Sequence, residues 1–170
     1  MPGLVLERRG GELSISSRVE AGATTDPAGR RRRLNDAGSF HRALEVPGAV
    51  EMPEAGVTIA ASIQVGESAA APGLDKRVAM LQASSLALPL AVRTRRPGDR
   101  FRPLGAPGRR KLQDLLVDRK VPREAREIVP LVVDAADRIV WVVGVAIAED
   151  CRVTTPSAGV VILEVRDLRN

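Results

Sequence analysis

Residues 86–133 read LALPLAVRTRRPGDRFRPLGAPGRRKLQDLLVDRKVPREAREIVPLVV. The stretch opens with a period of two. Leu86, Leu88, Leu90 and Val92 alternate with Ala87, Pro89, Ala91 and Arg93, which predicts a half-buried strand. Pro89 has no N–H to give, so either the strand lies at a sheet edge or that position's N–H side faces solvent. The period then changes. Leu112, Leu115 and Leu116 recur at helical spacing, with Asp114 and Asp118 opposite. Pro122 suits the first turn of a second short helix over residues 123–128, which must stop before Pro130. Residues 131–133 and 139–145 are apolar on both faces and read as core strands, joined by a turn at 134–138.

Outward from this stretch the strands continue. Residues 160–165 form a final strand after a turn at 156–159. Upstream, residues 43–46 and 57–65 read as strands, and residues 4–8 and 12–16 flank Gly10-Gly11 as a hairpin. Residues 24–36, with the run Arg30–Arg33, and residues 66–75 carry no apolar pattern and read as loops. The order is strands, two helices, then strands, which is α+β rather than βαβ. The expected architecture is mostly antiparallel strands in a sandwich-like or barrel-like sheet with two short helices. Residues 1–75 are expected to form a β-rich, loop-interrupted first part, and residues 76–170 a basic α+β domain.

Composition narrows the function. The chain has 170 residues, 44% of them apolar, and a net charge of +5. It contains no run near the roughly 18 apolar residues of a membrane helix. Its start, MPGLVLERRGGELSIS, lacks the charged region and long apolar run of a signal peptide. Cys151 is alone, which excludes an intramolecular disulfide and a cysteine zinc site. These features predict a cytoplasmic protein with no membrane partner. His41 is the sole histidine, so no triad or histidine metal site can form, and it reads as a surface residue. Trp141, in an apolar strand, reads as core. With only Phe40 and Phe101 besides, the aromatics are too few for a base-stacking platform.

The charge is concentrated. Residues 93–126 hold twelve basic and four acidic residues, a local net charge of +8, which attracts polyanions. Two elements are expected within it. In the first, Arg93 and Arg95 share one strand face, and Pro97-Gly98 fits the centre of a type II turn. Arg100 and Arg102 then share a face while Phe101 points away, so a hairpin would present four arginines, with Asp99 fixing the direction of one. In the second, Arg109, Arg110 and Lys111 fall where the first helix begins. Cations there oppose the helix dipole, and a bound phosphate would resolve the conflict. The alternative is a helix that starts near Leu112, with Asp114 in its first turn and the cations in a loop. Lys120, Arg123 and Arg126 continue the patch, unless Glu124 and Glu127 neutralise them. Arg96 completes the candidate phosphate-binding set of Arg93, Arg95, Arg96, Arg100, Arg102, Arg109, Arg110, Lys111, Lys120, Arg123 and Arg126. Pairing of Asp99 and Asp114 with nearby arginines is expected over acid–base work.

LPLAVRTRRPGDRFRPLG, KLQDLLVDRKVPREAREIVPLVV and IVWVVGVAIAED, in that order and spacing, resemble the C-terminal domain of tRNA(Ile)-lysidine synthetase. The resemblance spans residues 43–165 and is densest over 88–148. It implies a fold shared with a domain of phenylalanyl-tRNA synthetase β subunits. It also implies tRNA as partner, held by phosphate contacts while an ATP-dependent enzyme joins lysine to the wobble cytidine of tRNA(Ile) with a CAU anticodon. In that family, catalysis, ATP and magnesium belong to an N-terminal PP-loop domain marked by S-G-G-x-D-S. No such motif occurs here, where Gly10-Gly11 is followed by Glu12-Leu13-Ser14. No cofactor and no catalytic residue are therefore expected in this chain, which by itself should be inactive. A PP-loop domain is an expected partner, either earlier in a longer protein or on a separate chain, and a homodimer is an option. The competing reading is a basic interaction module that docks an acidic partner or the catalytic half.

Overall fold

A computed structural model describes residues 3–9, 12–18, 39–66, 75–155 and 158–168. Its strands are β1 (Gly3–Arg9), β2 (Glu12–Arg18), β3 (His41–Leu44), β4 (Gly48–Met52), β5 (Val57–Gln64), β6 (Val78–Gln82), β7 (Leu90–Arg93), β8 (Arg100–Phe101), β9 (Arg110–Lys111), β10 (Leu131–Val133), β11 (Ile139–Val142), β12 (Ala146–Ile147) and β13 (Val160–Asp167). Two helices, α1 (Leu112–Asp118) and α2 (Arg123–Arg126), lie between β9 and β10. The expected α+β class with antiparallel pairing holds. The strands form a five-stranded sheet in the order β12-β11-β10-β7-β3, a four-stranded sheet in the order β4-β5-β13-β6, and the ribbons β1-β2 and β8-β9. The expected loop at 24–36 and most of that at 66–75 lie outside the described residues.

The long strands follow from alternation. Val57, Ile59 and Ala61 of β5 point inward, as do Val161, Leu163 and Val165 of β13, and Val161↔Ile63 through Val165↔Ile59 fall in register. They share one core with Leu90 and Val92 of β7, with β10 and β11, and with Leu112, Leu115, Leu116 and Ala125 of the helices. Trp141 is buried in β11, as expected. Strands from before and after residue 75 are interleaved in both large sheets, through β3–β7 and β5–β13.

Two expectations fail here. The strand read over 86–93 begins only at Leu90, and it is interior, between β10 and β3. Pro89 precedes β7, so its missing N–H costs the ladder nothing. The arginine hairpin about Pro97-Gly98 does not form either. Its turn exists: Gly98 has φ +86, and the Asp99 N–H donates to the Arg96 carbonyl at 3.2 Å. But both edges of β7 are already paired, so β8 finds its partner in β9 instead.

Candidate nucleic-acid interface

The interior position of β7 decides the fate of Arg93. It pairs in register with Leu131 on one side and His41 on the other, and only 2% of its surface is exposed. A buried guanidinium needs compensation. Nη1 and Nη2 donate to the two Asp99 carboxylate oxygens at 2.9 and 3.0 Å, Nε donates to Asp137 at 3.1 Å, and Nη1 also reaches the Thr94 carbonyl at 3.1 Å. Burial alone would push the Arg93 pKa down and that of Asp99 up. The hydrogen bonds and charges of the cluster outweigh burial, so Arg93 is raised and Asp99 lowered. The Asp99 carboxylate also accepts the Arg96 N–H at 2.7 Å, and Arg96 Nη1 reaches Asp137 at 3.3 Å. Asp99 thus orients an arginine as expected, but toward the interior. In this structure Arg93 is a buried strut, held by Asp99 and Asp137.

The strut fixes what stands above it. The Leu112 N–H donates to the Asp99 carbonyl at 2.9 Å, tying α1 to the turn. The helix therefore starts at Leu112 with Asp114 in its first turn, and Arg110 and Lys111 lie in β9. The second sequence reading holds for the helix start, but Arg110 and Lys111 lie in a strand rather than a loop, and no anion is needed to explain where the helix begins.

Several expected site residues are neutralised within the chain. Arg95 pairs with Glu127, and Arg110 with Asp118. Arg102 gives its Nε to the Ala106 carbonyl at 3.0 Å and approaches Asp150 at 3.5 Å. Arg126, half-buried, gives its Nε to the Val121 carbonyl at 2.7 Å but has no carboxylate partner among the described residues, so its charge is not neutralised. Asp137 and Asp150, distant in sequence, are the carboxylates that sequence reading did not find. Asp137 sits in the turn between β10 and β11 at φ +59, a conformation aspartate tolerates.

The remaining exposed cations of the run are Arg100, Arg109, Lys111, Arg119, Lys120 and Arg123. None has a carboxylate partner among the described residues. Arg100 and Lys111 are directly opposed across β8 and β9. Opposed residues project from the same face with Cβ atoms about 5 Å apart, and like charges there are destabilising. Phe101, next to Arg100, is buried and anchors the ribbon. Open depressions lie on both sides of the turn. One, of about 340 Å³, is bordered by Arg100, Arg102 and Arg109 together with Asp137 and Asp150. The other, of about 420 Å³, is bordered by Arg95, Arg96 and Lys111. Among the described residues there is no cluster of acidic, histidine or cysteine side chains fit for a metal, and no helix long and apolar enough to cross a membrane. Cys151 is buried, and its thiol is pushed up to about 11, so it is unreactive at neutral pH.

Residues 90–164 match the family described as the TilS substrate C-terminal domain. A tRNA(Ile)-lysidine synthase of Symbiobacterium thermophilum is 52% identical over 102 residues, covering 60% of this chain and 21% of that protein. One from Oceanobacillus iheyensis is 37% identical over 108 residues, covering 62% of this chain and 22% of that protein. The chain thus spans about a fifth of the length of these relatives. A crystal structure of a TILS C-terminal domain superposes with a TM-score of 0.67 at 29% identity, covering 78% of this chain and 99% of that one.

Proposed function

We propose that this chain, whose residues 90–164 match the TilS substrate C-terminal domain family, grips tRNA by its phosphates for lysidine formation carried out by a separate catalytic domain. The observation that carries the reading is the cross-strand pair of Arg100 and Lys111. Two exposed cations face each other, and neither makes an ion pair among the described residues. This is unfavourable in the free chain and becomes favourable when a phosphate sits between them. Arg109, two residues before Lys111, extends the grip. The scarcity of aromatics fits contacts to backbone and shape rather than stacked bases. The names of the relatives supply the class of RNA, tRNA(Ile). Neutralised Arg95, Arg102 and Arg110 and buried Arg93 drop out of the contact set, although part of the basic run.

The test is titration of the chain with an unmodified tRNA(Ile) transcript carrying a CAU anticodon, over a range of salt. Affinity should fall log-linearly with salt, with a slope of about 0.7–0.9 per phosphate contacted. The Arg100→Ala/Lys111→Ala double variant should lose affinity and flatten that slope, while keeping the parent's melting temperature or exceeding it. Absence of binding at low salt would sink the reading. Retention of a PP-loop polypeptide instead of tRNA would favour the protein-docking alternative.

A further inference from the structure

α1 closes with a complete Schellman motif. The Val121 N–H donates to the Leu116 carbonyl at 3.0 Å, and the Lys120 N–H to the Val117 carbonyl at 2.9 Å, which are the two bonds that define it. Val121 and Leu116 are both buried in the core, completing the apolar contact that accompanies the motif. One residue does not suit its place. Lys120 occupies the left-handed position at φ +56, where glycine or asparagine is usual because a Cβ crowds the following carbonyl.

Nothing within the described residues repays this lysine. Its side chain is exposed and makes no ion pair there. Arg119 already stands at the C-cap, so the helix dipole has its cation without Lys120. The backbone would be better served by glycine. A strained, exposed, unpaired residue at the edge of a basic surface points to a partner outside the chain.

We infer that Lys120 is a further polyanion contact, its ammonium taking an RNA backbone phosphate at the joint between α1 and α2. That phosphate differs from the one between Arg100 and Lys111. Lys111 is the N-cap of α1 and Lys120 follows its C-cap. Nine residues at 1.5 Å each place their backbones about 13 Å apart, at opposite ends of the helix. Arg119 and Arg123, exposed and without carboxylate partners among the described residues, flank the second position. The inference rests on the reading of the chain as an RNA binder, and adds a signature of its own: removing one side chain should raise stability and weaken binding together.

The test uses Lys120→Gly in this chain, followed by thermal unfolding and by titration with the CAU-anticodon tRNA(Ile) transcript. The melting temperature should rise by roughly 2–4 °C, the shift that about 1 kcal/mol of relieved strain gives in a chain of this size. Affinity should fall several-fold, and the salt slope should flatten by about 0.7–0.9. Combined with Lys111→Ala, the two losses in affinity should multiply, because the sites are distant. A Lys120→Gly chain that binds as the parent does overturns the inference and leaves the proposed function standing. A lowered melting temperature also overturns it, by making the lysine structural. A parent chain that fails to bind the transcript overturns both.

Discussion

Replacing Asp99 with alanine should destabilise the whole domain, and the size of the effect follows from the cluster around Arg93. Asp99 accepts two hydrogen bonds from Arg93, at 2.9 and 3.0 Å, and the Arg96 N–H at 2.7 Å. The substitution leaves a guanidinium that is 2% exposed with one carboxylate, Asp137, whose own side chain is 56% exposed. Stranding one partner of a buried ion pair costs about 3–5 kcal/mol, against a total stability of about 5–15 kcal/mol for a domain. At roughly 2–4 °C per kcal/mol, the melting temperature should fall by about 6–20 °C. Thermal unfolding followed by circular dichroism reads this directly. The double variant Arg93→Met/Asp99→Leu, which removes both charges and keeps apolar volume, should recover most of the loss. A fall below about 2 °C for Asp99→Ala would refute the assignment of Arg93 as a strut and return it to the surface set.

Other outcomes follow from the same geometry. Asp99 and Asp134 have lowered pKa values; their hydrogen bonds, chiefly with Arg93 and Arg138 respectively, outweigh burial. A group whose folded pKa is lowered stabilises the fold above its unfolded value, about 3.9 for aspartate, and that stability is lost as pH falls through the folded value. Denaturant unfolding of the parent at a series of pH values should therefore show stability declining below about pH 4, with a shallower decline in Asp99→Ala. In the loop before β9, Gly105 has φ +79 with open space around it, while Gly108 has equal space without a positive φ. Gly105→Ala should cost about 1–2 kcal/mol through backbone strain, and Gly108→Ala should be neutral or stabilise by up to about 1 kcal/mol. Equal melting temperatures for the two variants would contradict the loop geometry.

Much of the fold was legible in the sequence because alternation and helical spacing are local. The Leu112, Leu115, Leu116 spacing gave α1, the apolar runs gave β10 and β11, and Gly10-Gly11 gave the β1–β2 hairpin. β4 was hidden because only Val50 and Met52 among its five residues are large and apolar, alternating with exposed Ala49 and Glu51 between Pro47 and Pro53. The two-residue strands β8, β9 and β12 are too short for any period to appear. The error at Arg93 was of another kind. Period two says which face a residue takes, not whether its strand is interior, and the neighbours that bury Arg93 are His41 and Leu131, both far away in sequence. The alternation about Phe101 was right, with Phe101 buried and Arg100 exposed. Only the partner strand was misassigned.

The same distinction separates structural cations from available ones. In the basic run, a cation is neutralised wherever the fold brings a carboxylate to it, and some of those carboxylates are remote: Asp137 for Arg93 and Arg96, Asp150 for Arg102, Glu127 for Arg95. Net charge therefore could not rank these residues, since a guanidinium in a strut and one on an open ribbon count alike. Two positions depart from local rules without an internal compensation among the described residues. Arg100 and Lys111 are like charges in register, and Lys120 holds a left-handed backbone. Each would be improved for stability by an uncharged or smaller residue. Departures of this kind are expected where a chain gives up stability for binding. They fall at opposite ends of α1, and the Arg93–Asp99 strut fixes one of those ends through the bond from Leu112 to the Asp99 carbonyl. The buried arginine thus sets the spacing at which the exposed cations are offered, so under the proposed function weakening the strut should weaken tRNA binding through the cations it positions.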